Sequence, residues 1–353
     1  MQKLYAGFAV LVLAMGGISA AGATGLELRL SDAASKDFGS GKIVYTLSNT
    51  TATPMQVLRW MTPLDGVDND LFDVYQNGER IAYTGRLVKR PAPTAADYVE
   101  IKPGESLSAE VDLTAVYDMR KGGNFNVRYN REGREVIKTA QDAARAGVRG
   151  ALDFDRQADS INVFADIAVD ALDEVSKAQV GVLAATNSFI SCSTTRKTQI
   201  ATARTSATSY ASNSKNYLTA GTQGSRYTWW FGTYNSSRYS TVRTHFNNIY
   251  SALSSQPFTF DCGCTDSAHA YVYPNQPYKI YLCNAFWSAP NTGTDSRAGT
   301  IVHETSHFTV MGGTDDWAYG QSAAHSLAGS NPARAVDNAD SHEYFSENTP
   351  ARN

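Results

Sequence analysis

Apolar and polar residues alternate along the chain from about residue 26 to residue 129. Segments such as KIVYTLSN, FDVYQNG and NFNVRYN have this two-residue period, and turn signals such as Asn77-Gly78 and Pro103-Gly104 separate them. Successive side chains of a strand point to opposite faces of a sheet, so this period predicts strands that are buried on one face. About seven or eight such strands predict an antiparallel β-sandwich. No histidine precedes His245, and we assign this region no catalytic role.

The bulk composition excludes several classes of protein. A length of 353 residues suits two domains, and 42% hydrophobic against 18% charged residues is the balance of a folded globular chain. The formal net charge is −3, and no long basic run occurs. We therefore expect no nucleic-acid partner and no binding to a membrane surface.

The N-terminus has the pattern of an export signal. Lys3 precedes an apolar run at residues 4–15, and Ala21-Gly22-Ala23 follows as a small-residue cleavage site. The apolar run is too short to span a bilayer. These features predict a signal peptide at residues 1–23, secretion, and a mature protein without a membrane anchor.

The rest of the chain has a different pattern. Residues 131–180 include REVIKTAQDAARAGVRGAL and FADIAVDALDEV, which we interpret as a helical linker. Beyond this linker, long Ala/Ser/Thr-rich and amphipathic segments predict helices, and FTFDCGC, HAYVYP and YKIYLCNAFW predict a small sheet. The sequence thus predicts a β-sandwich domain at 24–130, the linker at 131–180, and a mainly helical α+β domain at 181–353.

All four cysteines, Cys192, Cys262, Cys264 and Cys283, fall in the last of these regions. An even number of cysteines in an exported chain predicts disulfides, because the compartment is oxidising. A bond between Cys262 and Cys264 would be strained, since a single residue separates them. Two longer bridges are therefore expected, and the residues by themselves leave the pairing open.

The segment HETSH at residues 303–307 carries the strongest chemical signal. On a helix, His303 and His307 lie one turn apart on the same face, so both imidazoles can bind one zinc ion. Glu304 adjoins this pair and is placed to act as the general base toward a water on the zinc. The helix is otherwise largely apolar, and buried polar side chains need a compensating partner such as a metal. We therefore expect a zinc hydrolase.

The motif does not identify the third protein ligand. A histidine six residues beyond His307 would indicate a metzincin, but Gly313 stands there. A glutamate on a later helix would indicate a gluzincin, and Glu343 is the first glutamate after the motif. Asp315 and Asp316 lie closer, in GGTDDWAYG, after a glycine pair that ends the helix. Spacing does not choose between these two aspartates.

The combined pattern resembles the signature of the aspzincin metalloendopeptidases, the deuterolysin and peptidyl-Lys metalloendopeptidase family. That signature is H-E-x-x-H followed by G-T-x-D-x-x-Y-G, and the chain has HETSH at 303–307 and GTDDWAYG at 313–320. The resemblance implies a zincin-type catalytic domain in which Asp316 is the third ligand of one zinc ion. It also implies that Tyr319 stabilises the oxyanion of the transition state. The resemblance extends from about residue 181 to the C-terminus.

Two further features of the C-terminal region resemble the peptidyl-Lys members of the family. The cysteine layout is similar, which implies the disulfides Cys192–Cys262 and Cys264–Cys283. The segment NPARAVDNADSHEYFSEN is similar as well, and it has Asp340 and Glu343 where that subgroup has two acidic residues that hold a lysine at P1′. Residues three apart share a helix face, so both carboxylates can converge on one ammonium group. The resemblance therefore implies a preference for Lys at P1′.

The overall arrangement resembles that of bacterial secreted aspzincins, some of which are toxic exoproteases. We expect a latent, monomeric proenzyme that acts on proteins or peptides, with the N-terminal domain as an intramolecular inhibitor or chaperone. Maturation is expected near Asp173 to Val182, where Ser176–Lys177 is a candidate self-cleavage bond. Two alternatives stay open: a secreted surface-binding protein with a structural zinc, and a gluzincin that uses Glu343.

Overall fold

A computed structural model describes residues 26–33, 39–145, 153–156, 158, 160–166 and 186–353. The chain divides into two compact units, of which the first comprises 1–84 and 94–177 and the second 85–93 and 178–353. The predicted signal peptide at 1–23 and the predicted maturation region near Asp173 to Val182 lie outside the described residues.

The strands of the described residues are numbered here in chain order. They are β1 (Leu26–Asp32), β2 (Lys42–Asn49), β3 (Met55–Leu58), β4 (Phe72–Gln76), β5 (Glu79–Arg80), β6 (Leu87–Lys89), β7 (Tyr98–Ile101), β8 (Ser106–Asp112), β9 (Gly123–Tyr129), β10 (Asp155–Arg156), β11 (Ile161–Ala165), β12 (Ser188–Ile190), β13 (Thr259–Asp261), β14 (Ala270–Val272) and β15 (Lys279–Leu282). The helices are α1 (Gly133–Val136), α2 (Lys138–Arg145), α3 (Thr194–Thr219), α4 (Ser225–Phe231), α5 (Ser236–Ser255), α6 (Asn284–Ser288), α7 (Arg297–His307), α8 (Gln321–Ser330), α9 (Pro332–Val336) and α10 (Ala339–Glu347).

The first unit is built mainly from strands. One four-stranded sheet has the order β10-β1-β2-β8, another has the order β11-β9-β4-β5, and β3 pairs with β7. These pairs are antiparallel except that of β1 with β10. Alternate residues of β2 are buried, as the two-residue period predicts. The ring of Tyr45 on β2 lies 5.1 Å from the ring of Tyr129 on β9, so side chains from the two larger sheets meet in a shared core.

The region predicted as a helical linker, residues 131–180, is mixed in structure. Helices α1 and α2 lie at its start. They are followed by β10, an edge strand of one four-stranded sheet, and by β11, an edge strand of the other. The prediction of helix is wrong for Ile161–Ala165, where buried Val163 and Ala165 alternate with more exposed residues and the strand pairs with β9. The pairing partner comes from another part of the chain, so local periodicity did not reveal this strand.

The second unit combines helices with one five-stranded sheet. The strand order is β12-β13-β15-β14-β6, in which β12, β13 and β15 are parallel and β14 is antiparallel to both of its neighbours. The long helix α3 packs against α5 and α7. Ala203, Ala207 and Ala211 are fully buried on α3 at four-residue spacing, and these small side chains allow close helix packing. Helices with a small sheet are the α+β composition predicted for this region.

The second unit also includes a short segment from the N-terminal half of the chain, Gly85–Pro93. Its strand β6 pairs antiparallel with β14, with Lys89 opposite Ala270 and Val88 opposite Tyr271. These residues fall within the β-sandwich domain predicted at 24–130, because they continue the alternating pattern around them. Two separate stretches of the chain therefore build the second unit.

Two disulfides cross-link the second unit, Cys192–Cys262 and Cys264–Cys283. This is the pairing that the family resemblance implies. Such bonds restrict the unfolded chain and thereby favour the folded state. Among the described residues, no helix is both long enough and apolar enough to cross a membrane.

Candidate metal centre

Helix α7 carries both histidines of the HETSH motif and is buried over almost its whole length. The side chain of Ser296 caps the helix by accepting a hydrogen bond from the Gly299 N–H at 2.9 Å. A Cβ at Gly299 would lie 2.1 Å from Glu347 Oε1 and 3.0 Å from Glu343 Cγ, so a larger residue here would displace the α10 side chains that pack against α7. Because His303 and His307 are one turn apart, their ring centroids lie only 4.8 Å apart.

The loop after α7 is shaped by Asp315. Gly313 adopts a positive φ of 59°, which reverses the chain after the helix. The Asp315 N–H donates to the Asp337 carbonyl at 2.7 Å, and the Asp315 carbonyl accepts from the Ala339 N–H at 3.0 Å. The Asp315 carboxylate accepts from the Asp316 N–H at 2.7 Å. Asp315 thus holds the turn, and the side chain of Asp316 faces the histidines.

His303, His307 and Asp316 form a compact group of candidate metal ligands. One ligand atom from each lies within 4.8 Å of the others, and all three residues are buried. His303 Nε2 lies 3.3 Å from Asp316 Oδ1, and His307 Nε2 lies 3.6 Å from Asp316 Oδ2. Two imidazole nitrogens and one carboxylate oxygen are a donor set that zinc accepts, with a fourth position available for water or substrate.

Contacts on the far side of each imidazole orient its Nε2 atom. His307 Nδ1 lies 2.7 Å from the Thr314 carbonyl oxygen, so this nitrogen carries the hydrogen. His303 Nδ1 lies 3.0 Å from Asp340 Oδ1 and 3.3 Å from Glu343 Oε2. With a hydrogen on Nδ1, each Nε2 presents a lone pair to a metal.

Several polar atoms of this region are buried without a hydrogen-bond partner. They are both carboxylate oxygens of Glu304 and the Nε2 atoms of His303 and His307. Burying such a group without a partner costs about 2–7 kcal/mol, and burial raises the pKa of the Glu304 carboxyl to about 8. A cation held by the histidines and Asp316, with a water beside Glu304, would satisfy these atoms. The residues present therefore fit a zinc ion.

Asp340 and Glu343 on α10 form an acidic pocket next to this group. The Nζ atom of Lys89 lies 2.6 Å from Glu343 Oε2, 3.7 Å from Asp340 Oδ1 and 4.0 Å from Asp295 Oδ1. Lys89 is only 1% exposed, and both α10 carboxylates are fully buried. Burial alone would lower the pKa of the Lys89 ammonium, but the three carboxylates outweigh burial and raise this pKa. The pocket therefore holds a charged lysine.

The electrostatics of Asp340 reflect its two neighbours. Burial alone would raise the pKa of this carboxyl, but the Lys89 ammonium and His303 outweigh burial and lower it to about 2. Asp340 Oδ2 also accepts a hydrogen bond from the Gly320 N–H at 2.6 Å. Asp340 thus links the acidic pocket, a candidate metal ligand and the backbone of Gly320, which follows Tyr319 and caps α8.

Tyr319 is buried and lies against the segment that carries Lys89. Its Oη donates a hydrogen bond to the carbonyl oxygen of Val88 at 3.3 Å. Asp295 also belongs to the surroundings of Lys89, and Tyr344 Oη donates to its Oδ1 at 2.6 Å. The Tyr319 hydroxyl therefore contacts the carbonyl of Val88, and the next residue, Lys89, occupies the acidic pocket.

The residues proposed from the sequence for catalysis, metal binding and substrate binding lie in this region of the second unit. They are His303, Glu304, His307, Asp316, Tyr319, Asp340 and Glu343. Glu343 contacts His303 on its Nδ1 side, away from the Nε2 that faces Asp316, so the geometry does not group Glu343 with His307 as a gluzincin ligand set would require. Sequence reasoning missed Lys89 and Asp295. A lysine within an alternating segment carries no local signal, and Asp295 is notable only for preceding the cap of α7.

A buried His-Glu-x-x-His helix grouped with an aspartate defines a zinc peptidase site. A family model described as lysine-specific metallo-endopeptidase matches residues 216–347. An extracellular protease of Aeromonas hydrophila is 41% identical over 338 residues, which are 94% of each chain. A peptidyl-Lys metalloendopeptidase of Pleurotus ostreatus is 56% identical over 165 residues, which are 46% of this chain and 98% of the relative. A solved structure of a zinc peptidase from Grifola frondosa is 54% identical, matches 46% of this chain and 100% of its own, and has a TM-score of 0.45.

The chain therefore belongs to the aspzincin family of lysine-specific metallo-endopeptidases. It is a zinc metalloendopeptidase, as the sequence analysis predicts. The alternative of a non-enzymatic surface-binding protein with a structural zinc has no support from the site or from the relatives.

Proposed function

We propose that the protein is secreted as a latent proenzyme and that the mature enzyme cuts peptide bonds on the amino side of lysine. The observation that carries the lysine preference is the buried ammonium of Lys89, which lies 2.6 Å from Glu343 and 3.7 Å from Asp340. A pocket that neutralises an ammonium group with buried carboxylates rejects an uncharged side chain, because the carboxylates would then stay buried without a partner. The printed name of the Pleurotus ostreatus relative, a peptidyl-Lys metalloendopeptidase, supports the same preference.

In this proposal, His303, His307 and Asp316 hold one zinc ion per catalytic domain. Zinc, when bound, supplies Lewis acidity to the attacking water and to the scissile carbonyl. Glu304 takes the proton from the water and later transfers it to the leaving amine, as a buried carboxylate beside the candidate metal ligands can do. Tyr319 donates a hydrogen bond to the oxygen of the scissile carbonyl as negative charge develops there.

The positioning of His303 depends on the acidic pocket. Its Nδ1 lies within 3.3 Å of both pocket carboxylates, so a carboxylate–histidine contact fixes the ring and increases its basicity as a ligand. We propose that Asp340 has this orienting role and that Glu343 mainly binds the lysine. The two functions meet in one pocket, so metal binding and lysine binding are expected to be coupled.

We further propose secretion and removal of the N-terminal region. The printed name of the Aeromonas hydrophila relative, an extracellular protease, supports secretion. The Pleurotus ostreatus relative aligns over 98% of its length with only 46% of this chain, which supports a catalytic part that works without the strand-rich part. We propose the β-sandwich domain at 24–130 and the segment at 131–180 as a pro-region that inhibits or chaperones a monomeric enzyme, with maturation near residues 173–182.

The test is peptide-library cleavage followed by mass spectrometry, with the secreted protein as the enzyme. We expect cuts before lysine that stop when a chelator is added and resume with zinc. The Glu304→Ala variant should bind as much zinc as the wild type and cut nothing. Cuts without preference for lysine would contradict the specificity, and loss of zinc from Glu304→Ala would mean that this glutamate has a structural role.

A further inference from the structure

The segment Gly85–Pro93 lies in the second unit in the manner of a bound peptide. Strand β6 adds to the edge of the sheet antiparallel to β14, and the Lys89 carbonyl accepts a hydrogen bond from the His269 N–H at 2.9 Å. Addition of a strand to a sheet edge is a common mode of peptide recognition, because the main chain supplies the contacts. The segment therefore has the backbone pairing expected of a peptide substrate.

The side chains of this segment are held on both sides of one peptide bond. Lys89 fills the acidic pocket of Asp340 and Glu343. Val88 is 1% exposed and packs with Ala268 and Cys283 in a small apolar cluster. The two residues joined by the Val88–Lys89 bond are thus both buried, one in a charged pocket and the other in an apolar one.

The carbonyl group of the same bond lies against the residue proposed to stabilise the oxyanion. Tyr319 Oη donates to the Val88 carbonyl oxygen at 3.3 Å. Asp340, which contacts the Lys89 ammonium, also contacts His303 at 3.0 Å, so the pocket and the candidate metal ligands share a side chain. The charged pocket and the tyrosine hydroxyl therefore each contact one residue of this bond, and Asp340 connects the pocket to a candidate metal ligand, as a P1–P1′ bond requires.

Contacts at the two ends hold the segment in this position. Arg86 Nη1 lies 3.2 Å from Asp266 Oδ2, and its guanidinium lies 5.3 Å from the ring centroid of Tyr271. At the other end, a Cβ on Gly320 would lie 2.8 Å from the Cβ of Ala92, so the chain passes closely over this glycine. The segment is therefore bound along its length and not only through Lys89.

We propose that Gly85–Pro93 is bound as the enzyme's own substrate and that the Val88–Lys89 bond is a self-processing site. This inference rests on the proposed function. The oxygen of a water molecule adds to the Val88 carbonyl carbon while Glu304 accepts a proton from the water. The bond from the Val88 carbonyl carbon to the Lys89 nitrogen then breaks, and Glu304 returns the proton to that nitrogen. The second proton of the water passes from the new carboxyl group to the amine, so the products are a Val88 carboxylate and a Lys89 α-ammonium.

Latency follows from the same arrangement. While the segment is intact, the ammonium of Lys89 occupies the pocket, and no lysine of another protein can enter it. Hydrolysis allows this occupancy to end, because the cut ends are no longer joined across the site and can separate from it. The intact chain is its own first substrate, and cleavage of other proteins follows this cut.

Mass spectrometry of the secreted full-length protein tests the inference. The wild type should yield a new N-terminus at Lys89, and Glu304→Ala should keep the Val88–Lys89 bond intact. Lys89→Met, which keeps a long side chain but removes the charge, should lose this cut. The synthetic peptide GRLVKRPAP, residues 85–93, should be cut by the wild-type product between Val and Lys, and the matching peptide with methionine should not be cut.

A second measurement does not depend on catalysis. In Glu304→Ala, brief acetylation should modify Lys89 at least about tenfold more slowly than the exposed Lys102, since Lys89 is buried and paired. Equal acetylation of Lys89 and Lys102 would overturn the inference. Asp266→Asn serves as a partner-side control, because loss of the Arg86 contact should raise the acetylation of Lys89 while leaving that of Lys102 unchanged.

The outcomes separate the inference from the proposed function. If the secreted wild type cuts lysyl peptides while its Val88–Lys89 bond stays intact, the self-processing site is refuted and the proposed function stands. If the wild type with zinc cuts no lysyl peptide at all, the proposed function fails and the inference fails with it.

Discussion

Replacing Glu343 by glutamine removes one charge from the acidic pocket with almost no change in shape. Lys89, which stands in for a P1′ lysine, lies 2.6 Å from Glu343 and 3.7 Å from Asp340. Coulomb energy varies as the inverse of distance, so at equal dielectric the Glu343 contact is stronger by the ratio of 3.7 to 2.6, or about 1.4. Glu343 is therefore the main partner of the ammonium, and its charge is the one to remove.

The magnitude follows from the cost of breaking a buried ion pair. Removing one partner of such a pair costs about 3–5 kcal/mol. Glutamine can still accept a hydrogen bond and Asp340 keeps its charge, so we take the lower end, about 3 kcal/mol. This corresponds to a loss of about 10²-fold in kcat/KM, since each 1.4 kcal/mol is about tenfold.

The assay compares two peptides that differ only at P1′, one with lysine and the other with norleucine, which lacks the ammonium group. Glu343→Gln should lose about 10²-fold in kcat/KM on the lysine peptide, with a change of less than about threefold on the norleucine peptide. The matched control is Asp261→Asn, which makes the same change of charge at a residue whose side chain accepts a hydrogen bond from the Gly263 N–H. Zinc content is measured for each variant.

An equal loss on both peptides would refute this reasoning. It would mean that Glu343 acts through His303 Nδ1, which lies 3.3 Å from it, and not through the substrate. Unchanged activity on the lysine peptide would mean that Asp340 alone binds the ammonium group.

Three further predictions follow from the geometry. Asp316→Asn should lower bound zinc at least about tenfold by elemental analysis, whereas Asp315→Asn should retain it, because the Asp315 side chain bonds to the Asp316 N–H; equal loss in both would contradict the ligand assignment. Tyr319→Phe should lower kcat about 10²-fold with zinc unchanged, and an unchanged kcat would remove Tyr319 from the mechanism. Burial lowers the pKa of His245 to about 4 and that of His342 to about 3, so the unfolded chain binds more protons between about pH 6.5 and pH 4. The melting temperature, measured with a chelator present, should therefore fall on acidification through this range, and it should fall less in the His245→Gln variant. Equal dependence of the melting temperature on pH in the wild type and the variant would contradict this account.

The two histidines of the last prediction are a pair whose chemistry the sequence did not indicate. His342 Nδ1 lies 3.0 Å from the Asn338 carbonyl oxygen and carries the hydrogen, so His342 Nε2 accepts from His245 Nδ1 at 3.0 Å. A proton added to His342 Nε2 would place an N–H group opposite the N–H group of His245 Nδ1, and the hydrogen bond between them would be lost. This is the physical reason why acid should destabilise the fold at this position.

Local sequence patterns were sufficient to predict the zinc-binding helix. His303 and His307 share a face because four residues make about one helical turn, whatever the rest of the chain does. Asp316 follows within a short loop, so its distance from the helix is restricted as well. The structure brings one atom of each of these residues within 4.8 Å of the others. The two-residue period of β2 is local in the same way, and its alternate residues are buried as predicted.

The local sequence patterns did not indicate which strands pair with partners from distant parts of the chain. The sequence predicts a helical linker for the region that includes Ile161–Ala165, yet this segment forms β11 because it pairs with the edge of β9. Lys89 belongs to an alternating segment like its neighbours, and nothing in those residues indicates that β6 pairs with β14. Strand partners and pocket contents depend on surfaces assembled from distant parts of the chain.

By itself, the sequence determined the metal chemistry, the class of peptidase and the strand-rich character of the N-terminal half. The zinc helix and the strands rest on spacing within a few residues, where backbone geometry decides which side chains face each other. The class of peptidase rests on the resemblance of the motif to the aspzincin signature. Only the tertiary structure decided that Asp295 joins the two α10 carboxylates and that Lys89 fills the pocket they form. A buried lysine is stable only when carboxylates from separate elements converge on it, and that convergence is a property of the folded chain.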